Sequence, residues 1–327
     1  MLMKKFVPIL VIIAVVIVGV VWFAQSNKQT GELEKISIRL KWLNQAQFAG
    51  FYYADKAGYY EDEGLDVTLN AGGVDFPAVQ MVAGGSDHFG ITGADQILLA
   101  REKEIPIVAL AVIYRKSPFV LFSLKESGID TPQELIGKKV GVKLGGNEEL
   151  TYRALLKNAG VDSKQLEEIP VKFDITPLLT KQIDVWPGYA INEPITAEEQ
   201  GHPVNLIWPS DYGVNLYADT LFTTEEMIRT KPDVVRKVVE ATVKGWEDAL
   251  KNPAQAVTYT LQYSDKLTRE HETKMMNASI PLVKPDNNSI GFMDRAVWVA
   301  MQDLLLKQGF IKQSVDIDKA FTAEFLP

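Results

Sequence analysis

Apolar and polar residues alternate in "ISIRLKWL" (36–43) with the period of two that marks a half-buried strand. Residues 47–60 carry helical spacing, and "LDVTLN" (65–70) returns to alternation, so the three read as a strand, a helix and a strand in one right-handed crossover. The rhythm continues with a helix over Phe76–Ala83, a strand "HFGIT" (88–92), a helix over Gln96–Lys103 and a strand "IPIVALAVI" (105–113). Strands alternating with helices in this way predict a mainly parallel sheet with helices on its faces.

A second series follows. The strand "SPFVLFS" leads to Thr131, Pro132 and Glu134, a capping box with proline at the first helical position, which predicts a helix start. Strands at 138–144, 169–173, 183–189 and 204–209 then alternate with helices over Glu148–Asn158, Pro177–Lys181 and a segment through Glu198. From Leu221 onward, stretches such as "KPDVVRKVVEATVKGWEDALK" and "DRAVWVAMQDLLLKQG" place apolar residues at helical intervals, and this tail is expected to pack back on the first lobe. The chain thus divides into residues 1–30, a first lobe over 36–115, a second over 116–212 and a mostly helical return to the first over 213–327. The length of 327 residues exceeds what one core usually serves and agrees with two lobes.

Residues 1–24 break the rhythm. Lys4 and Lys5 precede an unbroken apolar run from Phe6 to Ala24, close to the ~30 Å thickness of a bilayer core at ~1.5 Å per residue. Basic residues on the near side predict that everything after Gln25 lies outside the cytoplasm. The run is longer than the apolar stretch of a cleavable signal, and "WFAQSN" lacks small residues in an A-x-A spacing, so the segment reads better as an uncleaved anchor than as a signal peptide.

Charge and composition narrow the chemistry. Beyond residue 30 the chain carries 31 basic and 42 acidic side chains, which argues against nucleic acid as a partner. It contains no cysteine, hence no disulfide, thiolate metal site or lipid-modified thiol. His88, His202 and His271 are too far apart in sequence to form a helical metal site. No nucleophile elbow or phosphate-binding loop is present, so no catalytic set, metal or cofactor is expected.

What remains is a concentration of rings and amides in "WLNQAQFAGFYYA" (42–54), which has no charged residue. Phe48, Phe51 and Tyr52 fall at helical spacing and read as core. Trp42 instead closes a strand, and Asn44, Gln45 and Gln47 lie in the loop after it, at the carboxyl edge where an open sheet binds its ligand. "SDHFGITGADQ" and "IDVWPGYAINE" echo one another, each with a glycine-bearing strand before a polar pair, so Asp95 of the first and Asn192 and Glu193 of the second are expected in one cleft. "LGGNEEL" adds Asn147 in a glycine turn able to present backbone N–H groups. Trp186, Tyr189 and Tyr212 supply further rings, so aromatics from two sides would sandwich a flat ligand while amides and a carboxylate read its edge.

These residues resemble the periplasmic-binding-protein-like proteins of the thiamine-pyrimidine and sulfonate group of ABC importers. The resemblance covers roughly residues 36–320 and is carried by "LKWLNQAQFAGFYYADKAGYYEDEGLDVTL", "GGSDHFGITGADQIL" and "DVWPGYAINEPITAEEQGHPV". It implies an α/β, two-lobed, type II periplasmic-binding-protein-like fold that closes on solute around crossovers near 114–117 and 209–213. It also implies a monomeric, extracytoplasmic receptor that delivers its solute to an ABC permease and ATPase. Carried over, Trp42 and Tyr189 would stack on the ligand and Glu193 would hold its ring nitrogens. Pyrimidine binders of the group tend to have Asn and His after the tryptophan, whereas this chain has "NQAQF", which leaves riboflavin, taken by other relatives, as an alternative ligand. Small anions rank lower, because the expected cleft offers mostly aromatics, amides and acids. The pyrimidine synthases of the same group consume their own histidine and use a cysteine-rich iron motif, which this chain lacks. A membrane-anchored sensory domain is the competing reading from another class.

Overall fold

The computed structural model describes residues 32–327. The anchor expected over residues 1–24 lies outside them. Among the described residues, no helix is long and apolar enough to cross a membrane.

Two five-stranded sheets form the two lobes. The first has the order β2 (Leu65–Asn70), β1 (Glu34–Arg39), β3 (Phe89–Gly93), β10 (Asp219–Thr224), β4 (Ile107–Val112). The second has the order β7 (Glu167–Pro170), β6 (Lys139–Val142), β8 (Val185–Tyr189), β5 (Phe119–Leu124), β9 (Val204–Ile207). In each sheet one strand runs against the rest: β10 is antiparallel to β3 and β4, and β5 is antiparallel to β8 and β9. These are the strands reached by the two crossovers between lobes, so each sheet receives its odd strand from the chain's passage across the cleft.

β10 is a strand within the return segment, which the sequence reads as mostly helical. Its six residues "DTLFTT" are too short to show a period beside the long helices that follow, and burial within the sheet decides their conformation. A correction concerns Thr131. Its capping box forms, but Ile136 turns extended and Gly137 takes φ 76°, so the segment stops after a single 3₁₀ turn, Pro132–Leu135. The helix expected over 47–60 is likewise broken into a 3₁₀ turn (Ala46–Phe48), α1 (Ala49–Lys56) and α2 (Tyr59–Asp62), with Gly58 at φ 79° between the last two.

Helix α1 answers for most of the aromatic cluster. Phe48, Phe51 and Tyr52 are fully buried in the main core. The return segment brings a long helix, Pro232–Lys251, against α1, and the Phe51 ring meets the edge of Trp246 at 6.1 Å. This approach requires glycine: a Cβ on Gly50 would come within 2.1 Å of the Trp246 ring, and one on Gly245 within 2.3 Å of the Gly50 carbonyl. Burial of that seam fixes the loop after β1, where the site begins.

Candidate functional site

The carboxyl ends of β1, β3, β6 and β8 face one cleft. β1 delivers Lys41 and Trp42, and the Trp42 carbonyl is held by the Gly72 N–H at 2.9 Å. Gly72 leaves no room for a side chain, since a Cβ there would meet the Leu40 carbonyl at 1.9 Å. Across the cleft the loop after β7 carries Phe173, whose ring lies 4.5 Å from that of Trp42 at 54°. The two rings cap a cavity of about 240 Å³ whose walls include Asp174, Thr176, Asn192, Glu193 and Thr196.

Beneath the rings a chain of hydrogen bonds runs from one lobe to the other. Gln45 Nε2 donates to Gln47 Oε1 at 2.6 Å, and Gln47 Nε2 to Asp219 Oδ2 at 2.7 Å. The Lys41 ammonium donates to Asp219 Oδ1 at 3.4 Å and to the Tyr189 hydroxyl at 2.5 Å. Asn147 Nδ2 reaches the same hydroxyl at 3.3 Å. Tyr189 therefore accepts twice, and its own O–H proton has no acceptor among the described residues. Asp219 is held from the other side too, because its carbonyl accepts from Ile113 and Tyr114 at the end of the first crossover.

A second lysine completes the set. Lys143, at the end of β6, donates to Glu193 at 2.9 Å and Glu148 at 3.3 Å, while the other Glu193 oxygen accepts the Tyr189 backbone N–H at 2.9 Å. Burial pushes the carboxyls of Asp95, Glu148 and Asp219 upward, with the lysines pulling the other way. Burial works against the charge on Lys41 and Lys143 as well, but the acids and Tyr189 around them outweigh it and keep both protonated. Two ammonium groups thus stand among the side chains of Asp95, Glu148, Glu193 and Asp219, of which Glu193 lines the cavity, as does Asp174.

Of the residues expected in the site, the structure brings together Trp42, Gln45, Gln47, Asn147, Tyr189, Asn192 and Glu193, with Asp95 buried next to them: a Cβ on Gly93 would touch both Asp95 and the Asn147 Cβ. Three lie elsewhere. Trp186 is 1% exposed in the second lobe's core beside Phe122 and Leu178, because alternation along β8 turns it to the face opposite Tyr189. Asn44 is spent on structure, accepting from the Tyr52 hydroxyl and donating to the Tyr263 carbonyl, each at 3.0 Å. Tyr212 sits in the turn Pro209–Tyr212 near Asp211, Asp130 and Glu134, where burial raises its hydroxyl.

The cleft expected to offer mostly aromatics, amides and acids also holds two cations, Lys41 and Lys143. Both follow strands directly, the position already used to find Trp42, so that rule applied to every strand end would have found them. Asp219 was hidden by the unrecognised β10. Phe173 lay inside a stretch read as strand, and its place against Trp42 depends on how the lobes meet.

The fold is that of a periplasmic binding protein. A solved structure of a periplasmic sulfonate-binding protein SsuA from Methylobacillus flagellatus superposes with TM-score 0.69 at 16% identity, over 91% of this chain and 94% of that one. The NMT1/THI5-like family profile matches residues 45–256, and the chain belongs to that family. It is similar to the riboflavin-binding protein RibY of Chloroflexus aurantiacus, 26% identical over 90% of this chain and 87% of the relative. It is equally similar to a formylaminopyrimidine-binding protein of Halalkalibacterium halodurans, 26% identical over 98% and 99%. At 21% identity over 90% and 92% it also resembles a 4-amino-5-hydroxymethyl-2-methylpyrimidine phosphate synthase of Legionella pneumophila.

Proposed function

We propose that this protein is the extracytoplasmic solute-binding component of an ABC importer and that it captures a flat, neutral or weakly basic heteroaromatic, a pyrimidine of the thiamine-precursor class, between its lobes. The observation that carries the reading is that Trp42 and Glu193, from opposite lobes, line one cavity, with Tyr189 joined to Glu193 through its backbone N–H and to Lys41 through its hydroxyl. Trp42 offers a stacking face, the Tyr189 hydroxyl a donor, and Glu193 an acceptor, since each of its oxygens has a lone pair beyond the bond it already makes. Asp174 and Glu193 on the cavity wall oppose a sulfonate or nitrate, whose charge would meet theirs.

The cavity of about 240 Å³ favours a single ring over a fused tricycle, being below the ~300 Å³ at which pockets for larger ligands begin. Riboflavin is the second reading, favoured by the similarity to RibY, and it requires the lobes to close less far. A synthase reading has no thiol to hold iron. Mass spectrometry of small molecules that co-purify with the protein tests these readings together. A pyrimidine supports the proposal, a flavin replaces it with the second reading, and an alkanesulfonate overturns both.

A further inference from the structure

One histidine reaches the cavity through a neighbour. The helix Arg269–Val283 belongs to the return segment, yet its first turn meets the helix Glu193–Glu199 of the second lobe. His271 stands at that contact, with Nδ1 2.9 Å from Glu199 Oε2 and Nε2 3.1 Å from Asn192 Oδ1. Lys274 binds the second Glu199 oxygen at 3.1 Å and also Glu270 at 2.8 Å. The charged groups around the ring are therefore Glu199 on the second-lobe helix with Glu270, Glu272 and Lys274 on the helix of His271 itself, and Glu272 is itself taken by the Ala46 N–H at 2.6 Å. Asn192 lines the cavity next to Glu193, so whatever turns its carboxamide is felt by a ligand.

An imidazolium has two N–H donors, a neutral imidazole one donor and one acceptor. The Glu199 carboxylate only accepts and takes the Nδ1 proton in either state. The role of Nε2 is what changes. When His271 is charged, Nε2–H donates to Asn192 Oδ1, as the observed orientation has it, and the Asn192 amide N–H groups are left for the cavity. When His271 is neutral, bare Nε2 needs a donor, so Asn192 must offer its amide nitrogen and turn Oδ1 away. The exchange is a half-turn about a terminal torsion that is broad and nearly two-fold, hence easy. It is confined to the side chain, because the Asn192 backbone is fixed by the Tyr189 carbonyl at 2.8 Å and the Thr196 N–H at 2.9 Å.

We infer that His271 is a positioning residue that sets, through Asn192, whether the cavity presents an N–H donor or a C=O acceptor beside the Glu193 carboxylate. The consequence for ligand class rests on the reading of this cavity as the solute site. With His271 charged, a donor and an acceptor stand side by side and match a ring nitrogen flanked by an amine, the edge of a neutral aminopyrimidine. With His271 neutral, two acceptors stand together and that edge is refused.

Histidine changes charge between about pH 5 and 8, which makes the switch measurable. In ¹⁵N-labelled protein without ligand, the Asn192 carboxamide signal is followed with the His271 ring nitrogens across that range. The signal moves in step with the ring in the wild type and stays still in His271→Gln. A ring that titrates while the carboxamide does not move overturns the inference. The second arm uses 2-aminopyrimidine, which stays neutral throughout. Wild-type affinity is expected to be about fivefold higher at the acid end, the worth of one hydrogen bond, and His271→Gln to show no such ratio. A wild-type ratio of one overturns the inference. No binding at either pH, with the coupled signals intact, counts against the proposed function and leaves the positioning role standing.

Discussion

Lys41→Met removes the ammonium that joins the two lobes while keeping most of its stem. The Asp219 side chain is fully buried, and its charge is balanced by Lys41 at 3.4 Å and by Gln47 at 2.7 Å. Removing one partner of a buried pair strands the other, at a cost of about 3–5 kcal/mol. The long Lys41 contact and the surviving Gln47 bond place the loss at the lower end, about 3 kcal/mol, or a fall in Tm of about 6 °C at pH 8 for a chain of this size. Burial already raises the Asp219 carboxyl, and loss of Lys41 raises it further. A carboxyl raised in the folded state favours folding when protonated and opposes it when charged, so the defect is full at high pH and shrinks as pH falls through the raised value. The gap in Tm between variant and wild type therefore narrows from pH 8 to pH 5, and adding Asp219→Asn recovers most of it at pH 8. Scanning calorimetry without ligand reads all three. A loss below about 1 kcal/mol at pH 8, or a gap that widens on acidification, would refute the role given to this pair.

Three other outcomes are expected. Gly50→Ala drives a methyl into the Trp246 ring and costs about 3 kcal/mol by denaturant melting, and a neutral result would mean that α1 and the Pro232–Lys251 helix do not pack as described. Phe173→Ala removes the ring facing Trp42, which is 44% exposed, and should weaken an aminopyrimidine about three- to tenfold through faster release without lowering Tm; stopped-flow kinetics with unchanged release would remove Phe173 from the site. Glu193→Gln should weaken the same ligand about 10- to 100-fold in calorimetric titration, while stability falls by only about 1 kcal/mol because Lys143 keeps Glu148. Equal affinity would leave Glu193 as an acid that holds Lys143 and the Tyr189 N–H and nothing more.

The sequence made the sheets legible where period and burial agree. β2 falls on the residues expected for it, 65–70, since a strand alternating beside a helix leaves little choice. β10 was not legible, because its conformation comes from insertion between β3 and β4 after a crossover, a contact between residues more than a hundred positions apart. The site shows the same division. Strand-end placement led to Trp42 and Tyr189, yet alternation along the same strand would have excluded Trp186, which precedes Tyr189 by three residues and so points to the other face of β8. Asn44 looked like a ligand group by its neighbours in sequence, and only the positions of Tyr52 and Tyr263 reveal that its hydrogen bonds are already used. Paired buried charges were least visible of all: Lys41 meets Asp219 only because β10 returns to the first sheet, and Lys143 meets Glu193 only because β6 and β8, far apart in sequence, lie side by side in the second.

Tryptophan emission during titration tests the cleft most directly. Among the described residues, Trp186, Trp246 and Trp298 are at most 1% exposed within cores and Trp208 packs against Lys116, so Trp42 is the reporter at the cavity among them. A saturable change with 2-aminopyrimidine in the micromolar range, abolished in Trp42→Phe, is the result the account predicts. Silence from aminopyrimidines and riboflavin alike, together with a saturable response to an alkanesulfonate, would contradict it.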